Sequence, residues 1–373
     1  GVATDTLLWL LRECLADAPI AQDACKRIGD LYRQSPPAEP ARARIRQLLM
    51  DSGAGGASPG ATVLRKLASA HVSNWDLQAT VMWVMGTVYG PRPVLEEMAL
   101  NPTSPLIQMH GVRSLGVLYD VDLEDTPEEA SEARLDAFSA VVHAMANFPD
   151  DMNLCQHSCF TISALAAPPA GAALLGDPAL ARLCLGGVLR VVRQDRCGYP
   201  QKEACRAIVS LAPSLVSLSA NNASILEGAG VKEVLENAVW QRVRWAPWSR
   251  QASDGYGAAE HEEGLCLCLI ALGLVVGLEP VTGTLGRGID DGKPSVVKAA
   301  AEALVELVRL GAGQALSSHV AKLSGLVQSA LSAHWDTEVQ RPLQLVAGFC
   351  SAAATETAMA AGAAEAGRAE APA

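Results

Sequence analysis

Two short runs set thiols beside imidazoles. Cys155, His157 and Cys159 fall within five residues, and His261 precedes Cys266 and Cys268. Thiolate and imidazole are the ligands of zinc and, with an orienting acid, the parts of a nucleophilic site. On a helix Cys155 and Cys159 share a face while His157 points elsewhere, and neither run brings a second ligand pair at zinc-site spacing. Nothing local supplies an acid to orient a His against a Cys or Ser. Core cysteines are therefore expected at both places, with no metal and no catalytic residue. Other motifs fail at single positions. DVDLED at Asp120 imitates a calcium loop, but Asp125 stands where the sharp turn needs Gly and Ser131 where the bidentate Glu belongs. Gly283 to Gly288 and Gly292-Lys293 imitate a phosphate loop, but Pro294 follows the Lys and the first Gly is out of place. Asn222-Ala223-Ser224 matches a glycosylation acceptor, against which the cysteine usage argues. No cofactor is implied, and the chain reads as no enzyme.

The elements that would carry these residues are helices. The chain has 373 residues, half of them apolar and only 4% aromatic. Ala and Leu dominate, and β-branched runs of strand length are scarce. This length exceeds one ordinary small core, so something is repeated or divided. The net charge of -11 argues against a nucleic-acid or anionic-membrane surface, which needs clustered Lys and Arg, and makes basic partners fit better than acidic ones. Ten scattered cysteines inside apolar helical patterns read as reduced thiols of a cytoplasmic or nuclear chain. The apolar run Leu7 to Leu11 stops at Arg12 and Glu13, too short to span a bilayer. The chain starts with Gly rather than Met, as a processed product or an excised fragment would.

One pattern recurs. A polar residue, often Gln, is followed at offsets of three, six, seven and ten by small or apolar residues, which places them on one helical stripe. Gln201 leads Ala204, Ala207, Ile208 and Leu211; Gln108 leads Gly111, Ser114, Leu115 and Leu118; Gln78 leads Val81, Val84, Met85 and Val88. Further copies start at His261, Val297 and Gln340, one at Gln156 with a one-residue slip before Leu165, and a weaker one near Gln22. From 78 to 340 the steps average about 44 residues, inside the forty-odd-residue period of paired-helix arrays. Small side chains at the third and sixth offsets let stacked helices approach closely. Second helices are expected at Leu180 to Val192 and Val231 to Val239, and the 30-residue step from Gln78 to Gln108 leaves room for one, at Pro91 to Leu100.

QKEACRAIVSLA (Gln201 to Ala212), followed by SANNASILEGAGVKEVLENAV (Ser219 to Val239), resembles an armadillo repeat's third helix and the first two helices of the next, with Gly228-Ala229-Gly230 at the tight bend. The resemblance covers roughly Leu77 to Cys350, with HEAT-like units fitting nearly as well toward both ends. It implies an all-α, right-handed α-solenoid whose third helices line a groove, and ligand-facing positions five and nine residues after each start. These are Trp83 and Thr87, Arg113 and Val117, Thr161 and Leu165, Arg206 and Ser210, Cys266 and Ile270, Glu302 and Glu306, Leu345 and Phe349. The Trp and Asn ladders of nuclear-import receptors are absent apart from Trp83. The resulting groove is expected to be polarised, Arg113 and Arg206 against Glu302 and Glu306.

The 60-residue step from Gln201 to His261 carries an insertion, Trp240 to Arg250, with Trp240, Trp245 and Trp248 beside Arg242, Arg244 and Arg250. This is the composition of a binding hot spot, or of a second helix that lengthens to cap exposed core. Residues 1–33 read as N-terminal helices with a degenerate repeat, 34–62 as a linker around a short helix at Ala41 to Met50, 63–350 as the array, and 351–373 as an Ala-rich frayed or disordered tail. Asp120 to Glu132 reads as an acidic loop before a helix from Leu135. The expected function is a non-catalytic scaffold that grips a protein or peptide partner. Its rivals are a regulatory or targeting segment of a larger enzyme and a chaperone regulator of the Hsp70 exchange-factor type. On the groove reading, Arg206→Glu weakens partner binding with little loss of helicity.

Overall fold

The computed structural model describes residues 6, 9, 16–35, 42, 43, 45, 62–120, 127–166, 171–194, 198–217, 230–245, 258–312, 319–333 and 335–369. Among these the regular structure is helical throughout, with no strand. The chain divides into two compact units, Gly1–Gly187 and Val188–Ala373.

In the first unit, α1 (Ala18–Gln34), α2 (Thr62–Ala70), α3 (Trp75–Tyr89), α4 (Pro91–Leu100), α5 (Pro105–Asp120), α6 (Pro127–Asn147), α7 (Met152–Leu165) and the short α8 (Gly171–Leu174) follow one another. Their starts are written in the chain. The side chains of Asp17, Asn74 and Asp151 accept from the backbone N–H three residues on, filling donors that the first turn leaves open. Between α3 and α4 the bend falls on Gly90, whose φ of 82° suits a residue without Cβ. α4 occupies Pro91–Leu100, as the spacing predicts. α6 begins at Pro127, eight residues before the expected Leu135, so Glu128, Glu129 and Glu132 belong to the helix rather than to a loop. The stripe-bearing helices α1, α3, α5 and α7 pack each against the next.

α9 (Pro178–Gln194) crosses the boundary. In the second unit come α10 (Tyr199–Ser217), α11 (Val231–Trp245), α12 (Ala258–Val276), α13 (Glu279–Asp290), α14 (Pro294–Leu307) with a π-turn at Val308–Ala312, α15 (Val320–Ser332) and α16 (Thr337–Ala369). Here α10, α12, α14 and α16 form the stripe-to-stripe stack. Gly230 enters α11 at a φ of 63°, the bend expected of it. The glycines at 283, 286 and 288 are helical, within α13, so no phosphate loop forms there. α16 runs on through the Ala-rich segment to Ala369. Of the helix read at Ala41 to Met50 only Arg42, Ala43 and Ile45 are described, and all three are helical; the rest of it, most of 34–62, the sequon at Asn222 and all but the first residue of DVDLED lie outside the described residues.

The stripe is the core. Val81, Val84, Met85 and Val88 are sealed from solvent, as are Leu115, Ala204, Ala207, Ile208, Leu211, Val297, Ala300, Ala303, Leu304, Leu307 and Leu343. In the copies from His261 and Gln340, Leu267 at offset six and Ala347 at offset seven are half-exposed. Burying a Leu or Met fully contributes roughly 1.5–3 kcal/mol, so each copy binds its layer to the next. The polar leader has a job too. Gln78 Nε2 donates to the carbonyls of Ala68 (2.7 Å) and His71 (3.0 Å), and Gln108 Nε2 to those of Met98 (2.7 Å) and Asn101 (3.0 Å). In both copies the acceptors lie ten and seven residues upstream, at the C-terminal end of the preceding helix, where each carbonyl otherwise has only a backbone turn bond. Gln201 does the same for Val192, and His261 Nε2 pairs with the carbonyl of Arg242. The chain is a helical repeat protein in this sense: one stripe and one capping device recur in both units.

One register needs correcting. Cys155, not Gln156, is the leader in α7: its thiol donates weakly to the carbonyl of Phe148, seven residues upstream, while Gln156 is only half-buried. Counted from Cys155, the buried Ser158, Thr161, Ile162 and Leu165 fall at three, six, seven and ten with no slip. Thr161 Oγ1 then donates to the carbonyl of Val112, as Ser114 Oγ at the same offset donates to that of Met82. A leader that is not glutamine hid the register.

Candidate functional site

In the first unit a concavity of about 440 Å³ opens over α1, α3 and α5, lined among others by Lys26, Asp30, Trp83, His110, Arg113 and Val117. Trp83, Arg113 and Val117 are positions that the repeat offsets single out. Trp83 is half-buried because its ring lies over Gly29 of α1, where a Cβ would collide with it. It therefore joins two layers and presents an edge to the concavity. Arg113 is exposed and makes no ion pair among the described residues. His110 sits beneath it, 2% exposed, its ring edge-on to Trp75 at 4.8 Å, with neither ring nitrogen hydrogen-bonded among the described residues. Burial, then the charges of Arg113 and His157, push its pKa down to about 4. His157, one layer on, is lowered by burial and Arg113 as well. Thr161 and Leu165, by contrast, are buried and face no ligand; the corrected register puts Phe160 and Ala164 there instead.

In the second unit Arg206 occupies the position equivalent to Arg113, yet it is not a groove cation waiting for an acid. Its guanidinium meets Glu203 at 3.1 Å and Glu263 at 2.9 Å, and Lys202 closes on Glu263 at 2.6 Å. Burial raises Glu203 above the ordinary carboxylate range against the pull of Arg206 and Lys202. Burial also works to raise Glu263, but the hydrogen bond and charge of Lys202, then Arg206, outweigh it and hold that carboxyl low. Ser210 is half-buried one turn beyond. Farther along the same stack a concavity of about 520 Å³ is lined by Cys266, Ile270, Lys298, Glu302, Glu306 and Leu345, among others. Five of these six are positions that the repeat offsets single out. Lys298 ties α12 to α16 through Glu262 (3.2 Å) and Glu338 (3.0 Å). Glu302 makes no ion pair among the described residues; burial, then Glu262 and Glu338 against the pull of Lys298, raises its pKa. Among the described residues Glu306 reaches only Arg309, at 3.4 Å.

The Trp-rich insertion resolves toward the lengthened helix: α11 continues to Trp245. Trp240 is 52% exposed, covered on one side by Arg244, and it lines a third concavity of about 820 Å³ with Glu236, Glu279 and Arg287. Trp248 lies outside the described residues. Arg242 is no surface residue at all. It is 1% exposed, donating from Nε to Gln201 Oε1 at 2.7 Å and from its terminal nitrogens to the carbonyls of Gly198 and His261. Gly264, at the third offset of its stripe, leaves room for the guanidinium, as Gly111 does for Met98.

Three features escaped the sequence. Residues at offset two, namely His110, His157, Glu203 and Glu263, stand beside those at offset five, and Glu203 and Glu263 take up Arg206 in ion pairs. Arg242 hides among arginines expected at the surface. Cys205 and Cys268 meet across layers. None of the eight described cysteines is in a disulfide, and among the described residues no three His, Cys, Asp or Glu side chains gather as metal ligands. No helix among the described residues is long and apolar enough to cross a membrane.

No protein-family model matches the chain, and no curated protein matches it. Among solved structures it is similar to a circular tandem repeat protein with novel repeat topology and enhanced subunit contact surfaces, at 17% identity over 94% of this chain and 83% of that one, with a TM-score of 0.25. So low an overlap carries no argument about fold or function.

Proposed function

We propose that the protein is a non-catalytic interaction scaffold of the armadillo or HEAT type, a right-handed α-solenoid, that holds an extended partner segment against the outward faces of its stripe-bearing helices. The observation that carries this reading is the recurrence of the same offsets in concave surfaces of both units. Offsets five and nine supply Trp83, Arg113 and Val117 in the first, and Cys266, Ile270, Glu302, Glu306 and Leu345 in the second. A row of side chains repeating once per layer suits a chain that itself repeats, such as a peptide backbone. Arg113 would receive a carboxylate of the partner, and Glu302 with Glu306 a basic side chain, because these are the charges that the fold leaves without full internal neutralisation. The half-buried thiol of Cys266, pushed to about 12 by desolvation and then by Glu302 and Glu306, stays neutral and serves as apolar floor.

Selection of peptides from a random library on the purified protein tests this. Acidic and basic residues are expected at enriched positions, and Arg113→Glu or Glu302→Lys is expected to lower affinity for the selected peptides at least tenfold. Selected peptides whose affinity is unmoved by both changes, and lost instead on Trp240→Ala, would transfer the role to the surface of α11.

A further inference from the structure

Cys205 on α10 and Cys268 on α12 face each other across the second unit's stack with their sulfurs 3.1 Å apart, both fully buried. We propose that these two cysteines are a redox pair that closes to a disulfide, stapling α10 to α12. A disulfide bond is about 2 Å long, so closure asks for about 1 Å of approach, within reach of small side-chain rotations at each cysteine. The surroundings favour this pair over the other thiols. The hydrogen bond from Cys205 and the charge of Arg242 hold the Cys268 thiol below its ordinary pKa in spite of burial. Burial pushes Cys25, Cys184 and Cys266 up to about 12 and raises Cys350. The thiolate is the nucleophile, so oxidation starts at Cys268.

With hydrogen peroxide as the oxidant the steps balance. The Cys268 thiolate sulfur attacks one peroxide oxygen, the O–O bond breaks, and hydroxide leaves and is protonated to water, giving a sulfenic acid. The Cys205 sulfur then attacks the Cys268 sulfur, the S–S bond forms, and the S–O bond breaks. The departing hydroxide takes the Cys205 proton as a second water. Two thiols are oxidised by two electrons and one peroxide is reduced to two waters. Neither sulfur meets solvent, so the reaction follows local opening of the α10–α12 contact, and its rate levels off at high peroxide. The product fixes the layer that bears Lys202, Arg206 and Glu263, independently of whether that layer binds a partner.

The test uses the full chain, reduced, exchanged out of reductant and treated with peroxide without denaturant. The mass is expected to fall by about 2 Da, with a Cys205–Cys268 linked peptide after digestion and a rise of about 5 °C in the unfolding midpoint that dithiothreitol reverses. Cys205→Ala and Cys268→Ala are each expected to abolish the linked peptide. Recovery of both cysteines as alkylatable thiols after peroxide and subsequent denaturation would overturn the proposal, as would a link that forms only in denaturant. A linked peptide joining either cysteine to a different partner would overturn it too.

Discussion

Arg113 in the first unit and Arg206 in the second are the same residue type at the same offset of the same stripe, yet one charge is left open and the other is closed. What differs is the residue at offset two. Around Arg113 it is His110 on its own helix and His157 on the next, both held neutral by the burial and the cation they adjoin. Around Arg206 it is Glu203 and Glu263, which take the guanidinium between them. The lesson is that a repeat offset assigns which way a side chain points, while the neighbouring offset decides whether its charge is available to a partner.

The strongest way to break the second unit's side of this contrast is Arg242→Ala. Removing a buried guanidinium takes a donor from Gln201 Oε1 and from the Gly198 carbonyl and opens a space beside Gly264. A loss of about 3 kcal/mol is expected, read as faster hydrogen exchange throughout α10 and α12. Arg206→Ala, in the same stack but half-exposed, should cost less, through the buried Glu203 that loses its partner.

The first unit's histidines give a pH signature. His110 binds its proton less readily folded than unfolded, so between about pH 6.5 and 4 the unfolded chain holds the extra proton. Stability from this group is therefore complete above pH 6.5 and is lost as pH falls toward 4, by on the order of 2–3 kcal/mol. His157 is depressed too and adds to the loss in the same direction. Denaturant unfolding of α3–α5, followed by exchange at pH 7 and pH 5, should show the drop, and His110→Phe should flatten it. An equal drop in the variant would remove His110 from the account.

The register correction has its own check. Gln108→Ala removes a side-chain donor from two carbonyls, at a cost of about 1–2 kcal/mol, whereas Gln156→Ala should cost less than about 0.5 kcal/mol because that side chain is not the leader. Equal costs would restore Gln156 as the start of its copy.

How much of this the chain disclosed beforehand follows from which interactions are local. The stripes were legible because burial of one helix face imposes a period that survives in residue types, from Val81 to Cys350. α4 was legible because 30 residues admit a single helix there. Arg242 was not, since its partners Gln201 and Gly198 lie some forty residues upstream and its composition is that of a surface cluster. The Cys155 leader was not, because a thiol rarely does an amide's work. Closure of Arg206 was not, because Glu263 belongs to another layer.

The smallest effect is also the one that decides whether the two arginines differ as described. Arg206→Glu sets a third carboxylate beside Glu203 and Glu263, the first of which is already strained toward its protonated form by burial. The expected cost is about 1 kcal/mol, contrary to a simple groove residue, and it should shrink as pH falls and Glu203 takes up a proton. Arg113→Glu, with no acid near enough to pair or repel strongly among the described residues, should leave the unfolding midpoint within experimental scatter while raising the His110 pKa, since one of the charges that depresses it is gone. That shift is measurable from the imidazole proton resonances. If both reversals prove equally harmless to folding and His110 does not move, the offset-two residues do not decide whether the charge at offset five is paired, and the difference between the two units lies elsewhere.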